Sequence, residues 1–360
     1  MTKKNKKLNV LFFANPNGGL NLIFQLHQYT KNKYGAIYRP IYKRALNFFI
    51  FEWIFALQKN LPREMVKEIS EYAFQRYVLK HNAGFFARLF FDVLGKMHFV
   101  KYYGTLKKHD VQHIFIYDDI AIANKACIVA AYTLKVDVTI FSEGCTNAML
   151  LVDRSATRWN NSIPRNVDFF KILNPQRQYI SDSPHPSGNM ILVVMQEDSS
   201  PEILLHSPWI SSQRQLLRII VSVSQKLPNT HFVIFNTRQQ YEDSANVHFS
   251  DKPLEEFLPF CKAVVTVNDH RTICAFEYHR PVILLGNTFF NIQDLSVSAS
   301  SVETLHSAIV DIENFPFNKE VANNFLYAIN TLYSVKCLNV NYPTNNELNA
   351  MIQVSSQGKY

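Results

Sequence analysis

The residues best suited to chemistry fall in a few short clusters. The first is Ser142-Glu143-Gly144, which closes the β-type run Val138-Thr139-Ile140-Phe141. A carboxylate at the C-terminal end of a parallel strand sits where open α/β sheets hold their ligands. The glycine beside it permits a sharp turn and a close approach of ligand to backbone. Such a carboxylate can take a proton from a hydroxyl or support a developing cation. Farther on, Arg165 is fixed beside Pro164, and an arginine held in this way is an anion contact in type. Taken alone, these residues describe a strand end and a surface loop with a solvated glutamate. The rest of the chain alters that balance.

Other clusters share the strand-end position. Asn15-Pro16-Asn17-Gly18-Gly19 follows the apolar run Leu8–Ala14 and precedes a helical stretch. Asn17, Gly18 and Gly19 would therefore offer backbone N–H groups to an anion or sugar at a helix start. The spacing is neither GxGxxG nor a P-loop. Asp118-Asp119 closes the run Val111–Tyr117, either as a helix cap or as a lining of the cleft. Gln196 and Asp198 follow a third strand, and His206-Ser207 comes just before the next helix. Asn268, His270, Arg271 and Thr272 occupy a further strand-to-helix turn.

The elements that must position these clusters alternate. Strands are expected at 8–14, 111–117 and 136–141, with a crossover helix over 122–133 between the last two. Helices are expected over 20–30, 62–81 and 84–103. The stretch Leu46–Leu57 (LNFFIFEWIFAL) reads as a buried helix, with a lipid-facing helix as its alternative beside Arg39, Lys43 and Arg44. Residues 176–189 form a Ser/Pro/Gly-rich linker. Beyond it, strands at 190–195, 231–235, 263–267 and 282–285 alternate with helices at 211–227, 254–260 and 272–279, the pattern of a second parallel sheet. The expected fold is therefore α/β, with two Rossmann-like parallel-sheet domains facing a cleft. The domains are residues 1–180 and 181–310, and a helical tail, 311–360, packs back on the first.

Composition narrows the classes. The chain has 360 residues, more than one typical core supports, which makes two domains the default. Apolar content of 47% against 18% charged residues excludes a disordered protein. A formal net charge of +8 favours an anionic partner. Aromatics interleave with Arg88, Lys96 and Lys101, but no RNP, KH or helix-turn-helix signature accompanies them, so nucleic acid is not the expected partner. The five cysteines form no CxxC pair and no metal-ligand spacing, which fits a reducing compartment. No signal peptide and no membrane-spanning run is read.

Three segments together resemble the bacterial capsular polysaccharide biosynthesis family, which includes the Kdo transferases of capsule primer assembly. They are IYDDIAIANKACIVAAYTLKVDVTIFSEG with the downstream SIPRNVDFF, then LVVMQEDSSPEILLHSPW, and AVVTVNDHRTICAFEYHRPVILLGNTFF. The second is most similar to single-module, primer-initiating members. The resemblance implies a GT-B-like glycosyltransferase that takes Kdo from CMP-Kdo, without a metal or other cofactor; its alternatives are a capsule or surface-glycan transferase with another nucleotide sugar, and a degenerate, non-catalytic glycan- or lipid-binding member. The implied acceptor is an anionic lipid-linked molecule at the cytoplasmic face of the inner membrane, with the enzyme cytoplasmic and peripheral there.

It implies catalytic roles for Glu143 and Asp153, and donor contacts from Gln196, Asp198, His206, Ser207, Arg238, Asn268, His270, Arg271 and Thr272. Acceptor contacts would come from Asn17, Gly18, Gly19 and Arg165. The chain departs from the family pattern at three places. Asn147-Ala148 replaces an Arg-Pro pair, and Asn236-Thr237-Arg238-Gln239 replaces a Lys-His-His-Pro type segment. Asn268-Asp269-His270-Arg271-Thr272 replaces a small, hydroxyl- and glycine-bearing turn. In that last turn Asp269 opposes a phosphate, whereas Arg238, His270 and Arg271 can bind one through their side chains.

Overall fold

The computed structural model describes residues 7–15, 19–44, 61–81, 84–145, 148–156, 161–175, 178–180, 188–235 and 245–357. The expected helix Leu46–Leu57, most of the linker, and the expected site residues Asn17, Gly18 and Arg238 lie outside them. So do Asn147 and the Asn236–Gln239 segment.

The chain begins with β1 (Leu8–Ala14), α1 (Leu20–Tyr34), β2 (Tyr38–Arg44), α2 (Arg63–His81) and α3 (Phe85–Lys108). It continues with β3 (His113–Tyr117), α4 (Ile122–Thr133), β4 (Asp137–Glu143) and β5 (Met149–Asp153). A second group follows: α5 (Val167–Lys171), β6 (Met190–Val194), α6 (Pro201–His206), α7 (Gln213–Lys226), β7 (His231–Phe235) and β8 (Val247–Phe249). The same group holds β9 (Ala263–Thr266), a 3-10 helix (His270–Tyr278), β10 (Val282–Leu284), β11 (Ser296–Ser298), α8 (Val302–Val310) and α9 (Lys319–Tyr327). Last come β12 (Ser334–Lys336) and α10 (Asn345–Gln357).

These elements form two compact units, Met1–Ser162 with Tyr333–Tyr360, and Ile163–Leu332. The α/β class with two parallel-sheet units is the class expected. The boundaries differ. The first unit closes at Ser162 rather than near residue 180, because the SIPRNVDFF stretch is held by the second unit. Phe170 packs edge-to-face on Phe325, and Asn324 Nδ2 donates to the carbonyls of Phe170 and Leu173. Of the expected tail, residues 311–332 stay with the second unit, and only 333–360 belong to the first.

In the first unit the sheet order is β12-β5-β4-β3-β1-β2. Strands β2, β1, β3 and β4 run parallel, and β5 and β12 join antiparallel. Alternation along β1 divides two cores. Leu11 and Phe13 face α2, α3 and α4, while Val10 and Phe12 face α1 and α10. Pro40 is tolerated in β2 because that strand lies at the sheet edge. The second unit has the order β11-β10-β9-β6-β7-β8, all parallel. Its central strands are buried apolar runs, as parallel strands covered on both faces require. Helix α7 adds Leu216, Leu217, Ile220 and Val223 to that core, and its N-cap Ser212 accepts from the Gln215 N–H.

Candidate functional site

In the second unit, the loops after β6, β9 and β10 meet at the C-terminal edge of the sheet, where open α/β folds bind ligands. A buried amide ties them together. The Asn268 N–H donates to Gln196 Oε1 at 3.1 Å, and Asn268 Nδ2 donates to the carbonyls of Glu202 and Asn287, each at 3.1 Å. Both partners of Nδ2 are carbonyl oxygens, which fixes the amide orientation. Asn268 Oδ1 is then left buried, with no hydrogen-bond donor among the described residues. The end of α6 is locked to the same edge, because the Asn287 N–H donates to the His206 carbonyl at 2.8 Å. At Gly286 a Cβ would stand 2.9 Å from a Val267 methyl and 3.1 Å from the His206 carbonyl, so glycine is what allows this approach. Gln196, Asn268 and the backbone of His206 thus come together at this edge.

Their neighbours divide. Asp198 Oδ1 accepts the Gln213 N–H at 2.6 Å and caps α7. Ser207 Oγ accepts from the Ile210 N–H at 3.1 Å. Thr272 is fully buried, and its hydroxyl donates to the Asp269 carbonyl at 2.6 Å, so it closes the turn and offers nothing to a ligand. Asp269 is buried and accepts from the Arg271 backbone N–H and from its guanidinium. Arg271 is thus drawn back onto its own turn while staying exposed; His270 is half-buried. The expected donor role therefore weakens for Asp198, Thr272 and Arg271, because the fold already uses their polar atoms. Glu277 lies on the same 3-10 helix and is half-buried. Burial, and then the charge of Glu255, push its carboxyl above the usual range.

In the first unit, Glu143 ends β4 with its side chain exposed at the C-terminal edge of the parallel strands. Gly144 has a structural reason: its N–H donates to the Met149 carbonyl at 3.0 Å, and a Cβ would lie 2.5 Å from that oxygen. The glycine closes the β4–β5 hairpin, and no ligand need be invoked for it. Asp153, expected as catalytic, is buried and saturated. Oδ1 accepts from the N–H groups of Ser155 and Ala156 at 2.7 and 3.1 Å, and Oδ2 from the N–H and hydroxyl of Ser162 at 2.8 and 2.7 Å. It clasps the loop that follows β5. Arg165 is half-buried and belongs to the second unit, not to the acceptor-side domain where it was expected.

Gly19 has φ +62°, and a Cβ there would strike the Tyr117 ring at 2.1 Å; the fold itself demands glycine. Asp118 also takes a positive φ of 63° and accepts the N–H groups of Asp119 and Ile120. It caps its own turn rather than α4, whose N-cap is Ala121. Beside it lies a buried pair not expected from sequence. Asn124 Nδ2 donates to the carbonyls of Tyr117 and Asp118, while Asn15 Nδ2 donates to Asn124 Oδ1 at 3.2 Å. The signal available was an asparagine inside the apolar helix Ile122–Thr133, a residue type that must find partners when buried.

The fold is that of a two-unit α/β protein whose converging polar residues lie at the carboxyl edges of parallel strands. Residues 174–308 match the family of capsule polysaccharide biosynthesis proteins. Protein FixF of Sinorhizobium fredii is 26% identical over 216 residues, covering 54% of this chain and 53% of that one. The match thus spans about half the length of that relative. Among solved structures, the chain is similar to the β-Kdo 2,7 transferase KpsC of Thermosulfurimonas dismutans, at 11% identity, 98% and 100% coverage and a TM-score of 0.44. It is also similar to a UDP-GlcNAc 2-epimerase from Neisseria meningitidis bound to UDP-GlcNAc, at 10% identity, 98% and 100% coverage and a TM-score of 0.37.

Proposed function

We propose that the protein is a glycosyltransferase of capsular polysaccharide biosynthesis that moves Kdo from CMP-Kdo to a lipid-linked acceptor at the cytoplasmic membrane face. One observation carries the reading: the family match over 174–308 falls on the unit whose sheet edge gathers Gln196, His206 and Asn268. In this reading that edge holds the nucleotide sugar, with His206, Ser207 and His270 beside the donor. Gln196 and Asn268 keep the loops in position. Arg238 supplies positive charge toward the phosphate, Arg271 does so only in so far as Asp269 releases it, and Arg165 is an anion contact toward donor carboxylate or acceptor. Glu143 acts on the acceptor. As the acceptor oxygen bonds to the anomeric carbon, the bond from that carbon to the CMP phosphate breaks. CMP leaves with the bonding pair, and the acceptor proton passes to the Glu143 carboxylate. The turn at Asn17-Gly18-Gly19 is assigned to the acceptor, and the transfer is read as metal-independent.

A second reading keeps the class and changes the donor. Asp269 puts a buried carboxylate in the turn where a phosphate cradle would lie, and this favours another nucleotide sugar. The test is a panel of CMP-, UDP- and GDP-sugars with a lysophosphatidylglycerol-type acceptor, read by product mass spectrometry. Transfer from CMP-Kdo supports the first reading, and preference for a UDP- or GDP-sugar replaces it with the second. No product from any donor, with an active family enzyme as control, counts against both.

A further inference from the structure

We infer that the distal half of the α2–α3 hairpin is a membrane-docking device that inserts aromatic side chains into an anionic bilayer. The inference deepens the proposed lipid-linked acceptor and rests on that reading for its biological purpose.

Burial defines the device. The buried residues of α2 are Val66, Ile69 and Ser70, and those of α3 begin at Gly95. Beyond these points neither helix has a buried residue. The level at which burial ends is marked by Lys125 near the start of α4, which reaches Glu68 of α2 at 3.2 Å and Asp119, just past β3, at 3.8 Å. Residues 71–81 and 85–94 therefore continue past the C-terminal edge of the first sheet, the edge where Glu143 ends β4. At 1.5 Å per residue the projection is roughly 15 Å.

The projecting part has an inner seam of its own. Phe91 packs on Phe74 and Tyr77, and Arg88 lies over Phe74 while pairing with Glu71 and Asp92. A different set of large apolar side chains points outward. Phe85 is 76% exposed and Phe86 84%, Leu89 and Phe90 are each 52%, and Leu79 is 45%. Holding the hairpin together does not account for them.

Charge selects the occupant. From Ala73 to Phe91 the sequence has no acidic residue but includes Arg76, Lys80, His81 and Arg88. Arg88 is matched by carboxylates, which leaves Arg76 and Lys80, both exposed, to set the sign of the tip. Aromatic rings with flanking cations suit the headgroup–acyl boundary of an anionic bilayer.

The test uses the full chain with vesicles of phosphatidylglycerol and phosphatidylethanolamine, and with vesicles of phosphatidylcholine alone. Co-sedimentation at low salt and at about 1 M salt, where screening is nearly complete, reports binding. The expected result is binding to the anionic vesicles only, weakened by salt. Phe85→Ser with Phe86→Ser, and separately Arg76→Glu with Lys80→Glu, should each reduce it by about tenfold or more, with melting temperatures unchanged.

Wild-type protein that stays in the supernatant with anionic vesicles overturns the inference, as does a Phe85/Phe86 variant that binds like wild type. So does light scattering that finds a wild-type dimer, dissociated by the same variant, without vesicle binding; the patch is then an interface between copies. The assay contains neither sugar nucleotide nor acceptor, so its outcome is separable from that of the transferase reading.

Discussion

The carboxylate of Asp269 holds the guanidinium of Arg271 two residues farther along, with Oδ1 and Oδ2 accepting from Nε at 3.0 and 3.1 Å. If this turn meets the donor phosphate, as proposed, the site carries an internal counter-charge. Asp269→Asn should release Arg271 and raise CMP affinity roughly threefold to tenfold, measured by calorimetric titration. A loss of affinity would mean that Asp269 shapes the site rather than opposes the ligand.

Asn268 should matter more for stability than its single amide suggests. Asn268→Ala removes the side-chain amide that donates to the part-buried carbonyls of Glu202 and Asn287, a cost of about 1–3 kcal/mol. Gln196→Ala removes one acceptor and should cost about 1 kcal/mol. Denaturant unfolding measures both, and equal, negligible effects would remove Asn268 as the tie between the loops.

For Asp153, structure and sequence expectation part. Asp153→Ala strips partners from the N–H groups of Ser155, Ala156 and Ser162. It should cost about 3 kcal/mol of stability, while the folded fraction keeps its turnover. Turnover lost at an unchanged melting temperature would return Asp153 to the catalytic set.

One buried and one half-buried histidine make stability depend on pH. Burial holds His98 down to about 3 and His113 down to about 4. Because these folded values lie below the unfolded value near 6.5, the unfolded chain binds more protons in the interval. Their contribution is fully present above pH 6.5. It is lost as pH falls toward the folded values, at roughly 1.4 kcal/mol per histidine per pH unit. Melting curves between pH 7 and 5 should show this slope, and His98→Gln should make it shallower; an unchanged slope contradicts the assignment.

The strands β1, β3, β4, β6, β7, β9 and β10 were legible because each is a short apolar run bounded by turn residues. Leu8–Ala14 and His231–Phe235 fall where the pattern puts them. β2 was hidden by Pro40 and by a basic stretch, and β5 by the polar residues on either side of Met149–Asp153. The three-residue edge strands β8, β11 and β12 are too short for any periodicity. At the site, position was legible and use was not. Sequence puts Asp198 and Thr272 after strand ends and Asp153 in the family-like stretch, but their hydrogen bonds depend on where Gln213, the Asp269 carbonyl and Ser162 come to lie. Glycines mislead in the same way: Gly19 and Gly144 look like ligand approaches, yet they accommodate Tyr117 and Met149.

The central claim is tested most directly by incubating the protein with CMP-Kdo and a lysophosphatidylglycerol-type acceptor, with Glu143→Gln alongside, and weighing the products. The account predicts one added Kdo residue with the wild-type chain and none, or a trace, with the variant. Preference for a UDP- or GDP-sugar, or full turnover by Glu143→Gln, would contradict it.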